Sequence, residues 1–226
     1  MSIKEKEKQL LDEWKEKGQC DNIFGKKELF VKDGLIDEIN YSKAPIKILY
    51  LLKEVNGGDE DWDLRKFVRD GGRSATWDNI TRWTKGIFEY FKYKNELDWD
   101  SLEKIDIYDR SQILKSIVAV NLKKIPGGCT ADYKKIEDFL KKQINKTFLK
   151  KQLSIYNSDI IICCGTGWLY SRYINQIDWD KTTRGIKYKK ENSKIIIDYL
   201  HPNTRVSSNL LYYGIIDAIK EISRIK

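Results

Sequence analysis

The sequence predicts an α/β protein, a three-layer α/β/α sandwich around a mostly parallel, four-stranded central sheet, on three observations. Four apolar runs, IKILYLL (46–52), SIVAVNL (116–122), DIIICC (159–164) and KIIIDYL (194–200), are short and nearly continuous. Strands covered on both faces read this way, and buried helices need more length. Segments with helical spacing of apolar residues separate the runs, and strand–helix–strand alternation implies parallel pairing through crossovers. Each run ends in polar or glycine-containing chain, and sheets of this kind collect ligands beyond the carboxyl ends of their strands.

Taken in order, residues 3–17 alternate charge and place Leu10, Leu11 and Trp14 on one side, which predicts a surface helix with a narrow docking stripe, ended by Gly18. With the loop to residue 40 it reads as an extension on a single domain spanning 1–226. After the first strand comes Lys53-Glu54-Val55-Asn56-Gly57-Gly58-Asp59-Glu60-Asp61, a polar loop in the usual place for a ligand loop. Residues 62–77 mix Trp62, Arg65, Lys66, Phe67, Arg69, Arg73 and Trp77 around Gly71-Gly72. Rings that stack on bases and cations that meet phosphates make this a nucleic-acid-compatible loop, though a surface loop anchored by one core tryptophan accounts for it residue by residue. Residues 78–93 carry Ile80, Trp83, Ile87 and Tyr90 at helical spacing and read as core.

The second strand carries one amide, Asn121, near its carboxyl end, where a buried amide either ties down backbone or reads a ligand edge. Lys123-Lys124-Ile125-Pro126-Gly127-Gly128 follows as a basic turn, and residues 133–151 as one amphipathic helix. The third strand closes in Gly165-Thr166-Gly167, which without a full phosphate-binding fingerprint reads as tight strand–helix packing, with a short helix leading off from Trp168. A turn over Thr183–Tyr188 leads into the fourth strand, which ends in His201-Pro202-Asn203-Thr204-Arg205. A helix over 209–225 closes the chain, with Ser207 or Ser208 as its N-cap. His201 is the one histidine. Taken alone it reads as structural; beside Glu54 or Asn56, Asn121 and Gly165 at the other strand ends it becomes a functional candidate.

A chain of 226 residues with 41% hydrophobic content builds one full core. Lys+Arg 42 against Asp+Glu 34 leaves a charge of +8, which suits a polyanion such as nucleic acid, although a lysine-rich solvated surface gives the same balance. There is no apolar run of membrane-spanning length, and the first residues form a charged helix rather than a signal peptide. The expectation is a cytoplasmic monomer with no membrane partner. The four cysteines, Cys20, Cys129, Cys163 and Cys164, have no C-x-x-C spacing and read as reduced core or loop thiols.

The order of these motifs resembles that of the uracil-DNA glycosylase superfamily. ILYLLKEVNGGDED occupies the place of the strand and G-E-A-P-G or G-x-N-P-G loop. AVNLKKIPGG is similar to the strand ending in Asn, then Lys and Pro-Gly. IIICCG is similar to the hydrophobic strand closing in Gly, and TTRGIKYKKENSKIIIDYLHP to the Arg-Gly turn before the last strand. HPNTR is similar to the closing His-Pro motif. The resemblance spans roughly 46–222 and rests on the ordered set. The chain departs from the pattern in several places. Glu54 meets the family's acidic position in one register, and a shift of two residues puts Asn56 on the position that is Asn in mismatch-specific members. Lys53 replaces the preceding glycine and the loop proline is absent. Ile125 and Asp138 stand at two places of the iron–sulfur branch's cysteines and Cys20 has no mate, so no cluster, and no other cofactor or metal, is expected.

The resemblance implies a monofunctional DNA glycosylase that swings a nucleotide out of the stack and hydrolyses the bond between base and sugar, in repair or in anti-phage defence. Glu54 would stabilise the sugar cation and orient water, or Asn56 would position that water. His201 would hydrogen-bond the leaving base and Asn121 would read its edge. Phe67 or Trp77 would form a stacking wall, and Arg73, Lys123, Lys124 and Arg205 would meet phosphates of double- or single-stranded DNA. The rebuilt first loop is compatible with a base other than uracil. Two other readings stand beside this one: a non-catalytic nucleic-acid binder of the same fold, and a small-molecule enzyme using His201 as base.

Overall fold

The computed structural model describes residues 1–20, 29–57 and 62–225, with backbone alone at 19 and 20. Its centre is the set of four expected strands, β2 (Ile48–Leu52), β3 (Ile117–Asn121), β4 (Ile160–Cys164) and β7 (Lys194–Tyr199), parallel in the order β3-β2-β4-β7. The sheet is wider than the four strands predicted. Short β1 (Gly34–Leu35) pairs antiparallel with β3, and β5 (Asp180–Lys181) and β6 (Lys187–Glu191) add an antiparallel flank to β7, which makes a mixed sheet of seven. The added strands are short, and β5 and β6 are largely exposed and rich in lysine, so their sequence has no apolar run to announce them.

Side chains alternate across the sheet and build two cores. On one face Ile48, Tyr50, Ile117, Ala119, Ile162 and Ile197 pack with α4 (Ser74–Tyr93) and α9 (Ser208–Arg224). These two helices approach so closely that a Cβ on Gly86 would lie 2.5 Å from the Tyr212 ring. On the other face Leu49, Leu51, Val118, Val120, Ile161 and Ile196 pack with α1 (Ile3–Cys20), α6 (Tyr133–Lys141) and α7 (Gln143–Ile155). Three shorter helices, α2 (Glu38–Lys43), α3 (Leu64–Arg69) and α5 (Ile107–Leu114), lie in the connections around β2 and β3. A single turn, α8 (Gly167–Leu169), runs into a π-turn over Tyr170–Ile174 after β4. No described helix is long and apolar enough to cross a membrane.

Three sequence expectations change here. The first helix does not end at Gly18 but passes through it to residue 20, while its expected stripe of Leu10, Leu11 and Trp14 is buried, with Trp14 stacked on Phe148 at 5.6 Å. The helix expected over 133–151 is two helices, broken at Lys142, whose backbone is extended (φ −70°, ψ 121°). The break lets buried Asn145 donate to Phe139 O at 2.9 Å while its Oδ1 accepts from Trp14 Nε1 at 2.9 Å, so the same amide joins α1 to α7. Ser207 does occupy the N-cap position of α9, but its hydroxyl caps nothing.

Candidate functional site

The strand ends are drawn together by backbone pairing that continues past the sheet. Leu122 N donates to Leu52 O at 2.9 Å and Lys123 N to Lys53 O at 3.0 Å. Gly127 N donates to Val55 O at 2.8 Å and Gly57 N to Gly127 O at 3.1 Å, so the loops after β2 and β3 run side by side. Across the edge, Gly165 N donates to Tyr199 O at 2.7 Å. Gly165 has φ +67°, a left-handed turn that suits glycine, and a Cβ built on it would sit 3.4 Å from Lys53 Cε and 3.6 Å from His201 Cβ. Lys53 and His201 therefore both stand beside Gly165 at the carboxyl edge of the parallel strands. The Lys53 ammonium lies 4.8 Å from the Tyr133 ring centroid, and Tyr133 and Trp168 sit 5.8 Å apart. Both residues are about two-fifths exposed (40% and 41%), so an aromatic pair reaches solvent beside the lysine.

The electrostatics of His201 follow from this setting. Burial first, and then the Lys53 charge, push its pKa down to about 4, so the imidazole is neutral at physiological pH. Its Nδ1 accepts from Asn203 N at 3.2 Å, which assigns the proton to Nε2. The loop that carries it is fixed. Thr204 N donates to His201 O at 3.0 Å, and Asn79 Nδ2 donates to Pro202 O at 2.8 Å. Asn79 Oδ1 in turn accepts from Arg82, whose Nε donates to Leu102 O at 2.8 Å. Thus α4 holds the His-Pro turn through an asparagine hidden in a run of core residues.

Several expected site residues have other duties. Glu54 has a nearly enclosed side chain (3% exposed), pairs with Lys123 through Oε2 and accepts from Asp132 N at 3.2 Å through Oε1. It fastens the loop after β3 and the start of α6 to β2. Lys123 is consequently a buried ion-pair partner and not an open phosphate contact. Lys124 is fully buried, with Nζ 2.6 and 2.8 Å from the Asp33 carboxylate oxygens. Asn121 is buried as well; its backbone N–H donates to Asp33 Oδ2 at 2.8 Å and its amide to the same oxygen at 3.3 Å, so that nitrogen is committed to the acid. Trp77 lies in the core, and half-buried Phe67 packs on Trp62 at 5.2 Å. Asn56, Arg73 and Arg205 are exposed. Residues 58–61 of the first loop lie outside the described residues. Lys53, Tyr133, Trp168 and Asn79 were not expected at the site. The departure from glycine at Lys53 was the one signal in the sequence.

Among the described residues no group of three or more His, Cys, Asp or Glu side chains is placed to hold a metal. No family model and no curated protein matches the chain.

The close pass of Gly127 gives a direct check on the Glu54 clamp. A Cβ there would lie 2.2 Å from Glu54 Cδ, so Gly127→Ala must push the carboxylate off its partners. The expected loss is about 1–3 kcal/mol, as for other overpacked sites, measured by chemical unfolding; an unchanged midpoint would show that the clamp is not tight.

Proposed function

We propose that the protein is a DNA glycosylase that binds an extruded nucleotide at the carboxyl edge of the sheet and hydrolyses its base–sugar bond. The observation that carries this reading is His201, neutral and protonated on Nε2, beside Lys53 and the partly exposed Tyr133 and Trp168 rings. Breaking the bond puts negative charge on the departing base. A fixed N–H donor next to a cation stabilises that charge where it develops. The rings supply faces on which a flipped base can stack, and exposed Arg73 and Arg205 are available to phosphates. Because both Glu54 oxygens are engaged, the water-positioning role falls to exposed Asn56, the register of the mismatch-specific members. Lys53 in place of glycine and the aromatic rim favour a base other than plain uracil.

The test is incubation with duplex and single-stranded oligonucleotides carrying uracil, hypoxanthine or modified cytosines, followed by alkali to reveal abasic sites. Wild type is expected to release at least one of these bases. Asn56→Ala is expected to lose about 10²-fold in kcat from a mispositioned water, and Glu54→Gln to keep most of its activity per folded molecule. Glu54's engagement also favours a second reading, a non-catalytic nucleic-acid binder. Salt-sensitive DNA binding with no base released from any substrate would establish the binder in place of the enzyme.

A further inference from the structure

Three lysines stand at the carboxyl ends of β2 and β3, and their surroundings differ. Lys123 is paired with Glu54 and Lys124 with Asp33, both out of solvent. Lys53 has no carboxylate within ion-pair distance among the described residues. It is half-buried, and its nitrogen rests over the Tyr133 ring. An electrophilic carbon approaching this amine therefore displaces an aromatic contact and, among the described residues, breaks no ion pair. Beside the same face of Gly165 stands His201, whose Cβ lies 3.6 Å from the point where a Gly165 Cβ would be and whose Nε2 bears a proton for an oxygen to accept. An amine and a neutral N–H donor meeting at one glycine of the sheet edge, beside two partly exposed rings, form a site for a carbonyl compound.

We infer that Lys53 is a nucleophile that forms an imine with the ring-opened sugar of an abasic nucleotide, giving the protein a DNA strand-cleaving lyase activity. The inference rests on the reading above for the placement of the sugar, and goes beyond the purely hydrolytic enzyme that the resemblance implies. The Lys53 ammonium first gives one proton to solvent; the Nζ lone pair then attacks the aldehyde carbon C1′, and a second proton passes from nitrogen to the former carbonyl oxygen. His201 Nε2–H hydrogen-bonds that oxygen. The hydroxyl takes a second proton from solvent and leaves as water, and the nitrogen lone pair forms the C=N bond of a cationic imine. Loss of a C2′ proton to solvent then supplies the electron pair that expels the 3′-phosphate, with formation of a C2′–C3′ double bond. Water hydrolyses the imine and returns the free amine. One water leaves and one is consumed, and the sequence needs no oxidant or reductant.

The test supplies the full-length protein with duplex and single-stranded oligonucleotides in which the abasic site is already present, with and without sodium cyanoborohydride, which reduces an imine to a stable secondary amine. Free 2-deoxyribose 5-phosphate forms a separate arm. Wild type is expected to give a denaturant-resistant protein–DNA adduct that peptide mass mapping places on Lys53, and to nick the strand without alkali when the reductant is left out. Lys53→Ala and Lys53→Arg are both expected to lose the adduct by at least about tenfold; the arginine variant keeps the charge and so separates nucleophile from cation. Thermal unfolding confirms that each variant is folded. No wild-type adduct, an equal adduct in Lys53→Arg, an adduct on another lysine, or trapping of the free sugar phosphate alone would each overturn the inference. Since base removal is not required, absence of glycosylase activity leaves this result readable, and absence of trapping leaves base release standing.

Discussion

His201→Ala is expected to lower base release by about 10²–10³-fold in kcat, the usual cost of removing one fixed donor from developing negative charge. Affinity for DNA should change little, since the phosphate contacts assigned to Arg73 and Arg205 stay in place. The expected pH profile follows from the low imidazole pKa. Folding holds it at about 4, below the ordinary value of 6.5, by burial and by the Lys53 charge. The folded state thus binds fewer protons at this residue than the unfolded chain between those two values. Its contribution to stability is complete above pH 6.5 and is lost as pH falls through about 4. Protonation also places a hydrogen on Nδ1, where the Asn203 N–H now donates, so the turn that aims the ring opens at the same pH. Activity should be flat from about pH 6 to 8 and fall below about 5, in step with the imidazole titration. With one histidine in the chain, its ring resonances can be followed by NMR without ambiguity. Lys53→Ala removes the second cause of the shift and should move that titration upward. Full base release by His201→Ala would remove the histidine from the mechanism.

The parallel core was legible in the sequence because its cause is local. Five consecutive buried residues in each of β2, β3 and β4, and three in β7, leave short and nearly continuous apolar runs, and the helical spacing of Trp83 and Ile87 marks the layer that covers them. The position of His201 at a strand end was legible for the same reason. What could not be read was pairing at a distance. Lys123-Lys124 looks like a solvated basic turn until Glu54, 69 residues before Lys123, and Asp33, 91 residues before Lys124, arrive beside it. Asn121 looks like a ligand-reading amide until the same Asp33 takes its nitrogen. β1 is two residues long and carries no period of its own, yet it delivers that aspartate to the end of β3. Tyr133 and Trp168 belong to different helices whose starts meet only after the sheet has formed.

Lys124→Met is expected to be among the most destabilising substitutions in the chain. The lysine is wholly enclosed; its ammonium bonds both Asp33 oxygens and Asn121 O at 2.9 Å, and lies 5.3 Å from the Trp14 ring. Asp33, equally enclosed, also accepts from Asn121 N and from Gln152 Nε2 at 2.9 Å, so one carboxylate joins β1, β3 and α7. Methionine fills similar volume but leaves the carboxylate charged and short of its counter-ion, which costs about 3–5 kcal/mol when one member of a buried pair is removed. Against a typical total of about 5–15 kcal/mol this is a large share. In a chain of this size it corresponds to a fall in Tm of about 6–20 °C. Asp33→Asn in the same background removes the orphaned charge and should recover much of the loss, the positive coupling that a double-mutant cycle measures. The two accounts of Lys124 then separate in a salt titration of DNA binding. A buried lysine contributes no phosphate contact, so the folded Lys124→Met protein should keep the wild-type salt dependence, whereas Arg205→Ala should flatten it by about one counter-ion. A Lys124→Met protein as stable as wild type but with a flattened salt dependence would return this lysine to the DNA-facing surface where its sequence neighbourhood alone would put it.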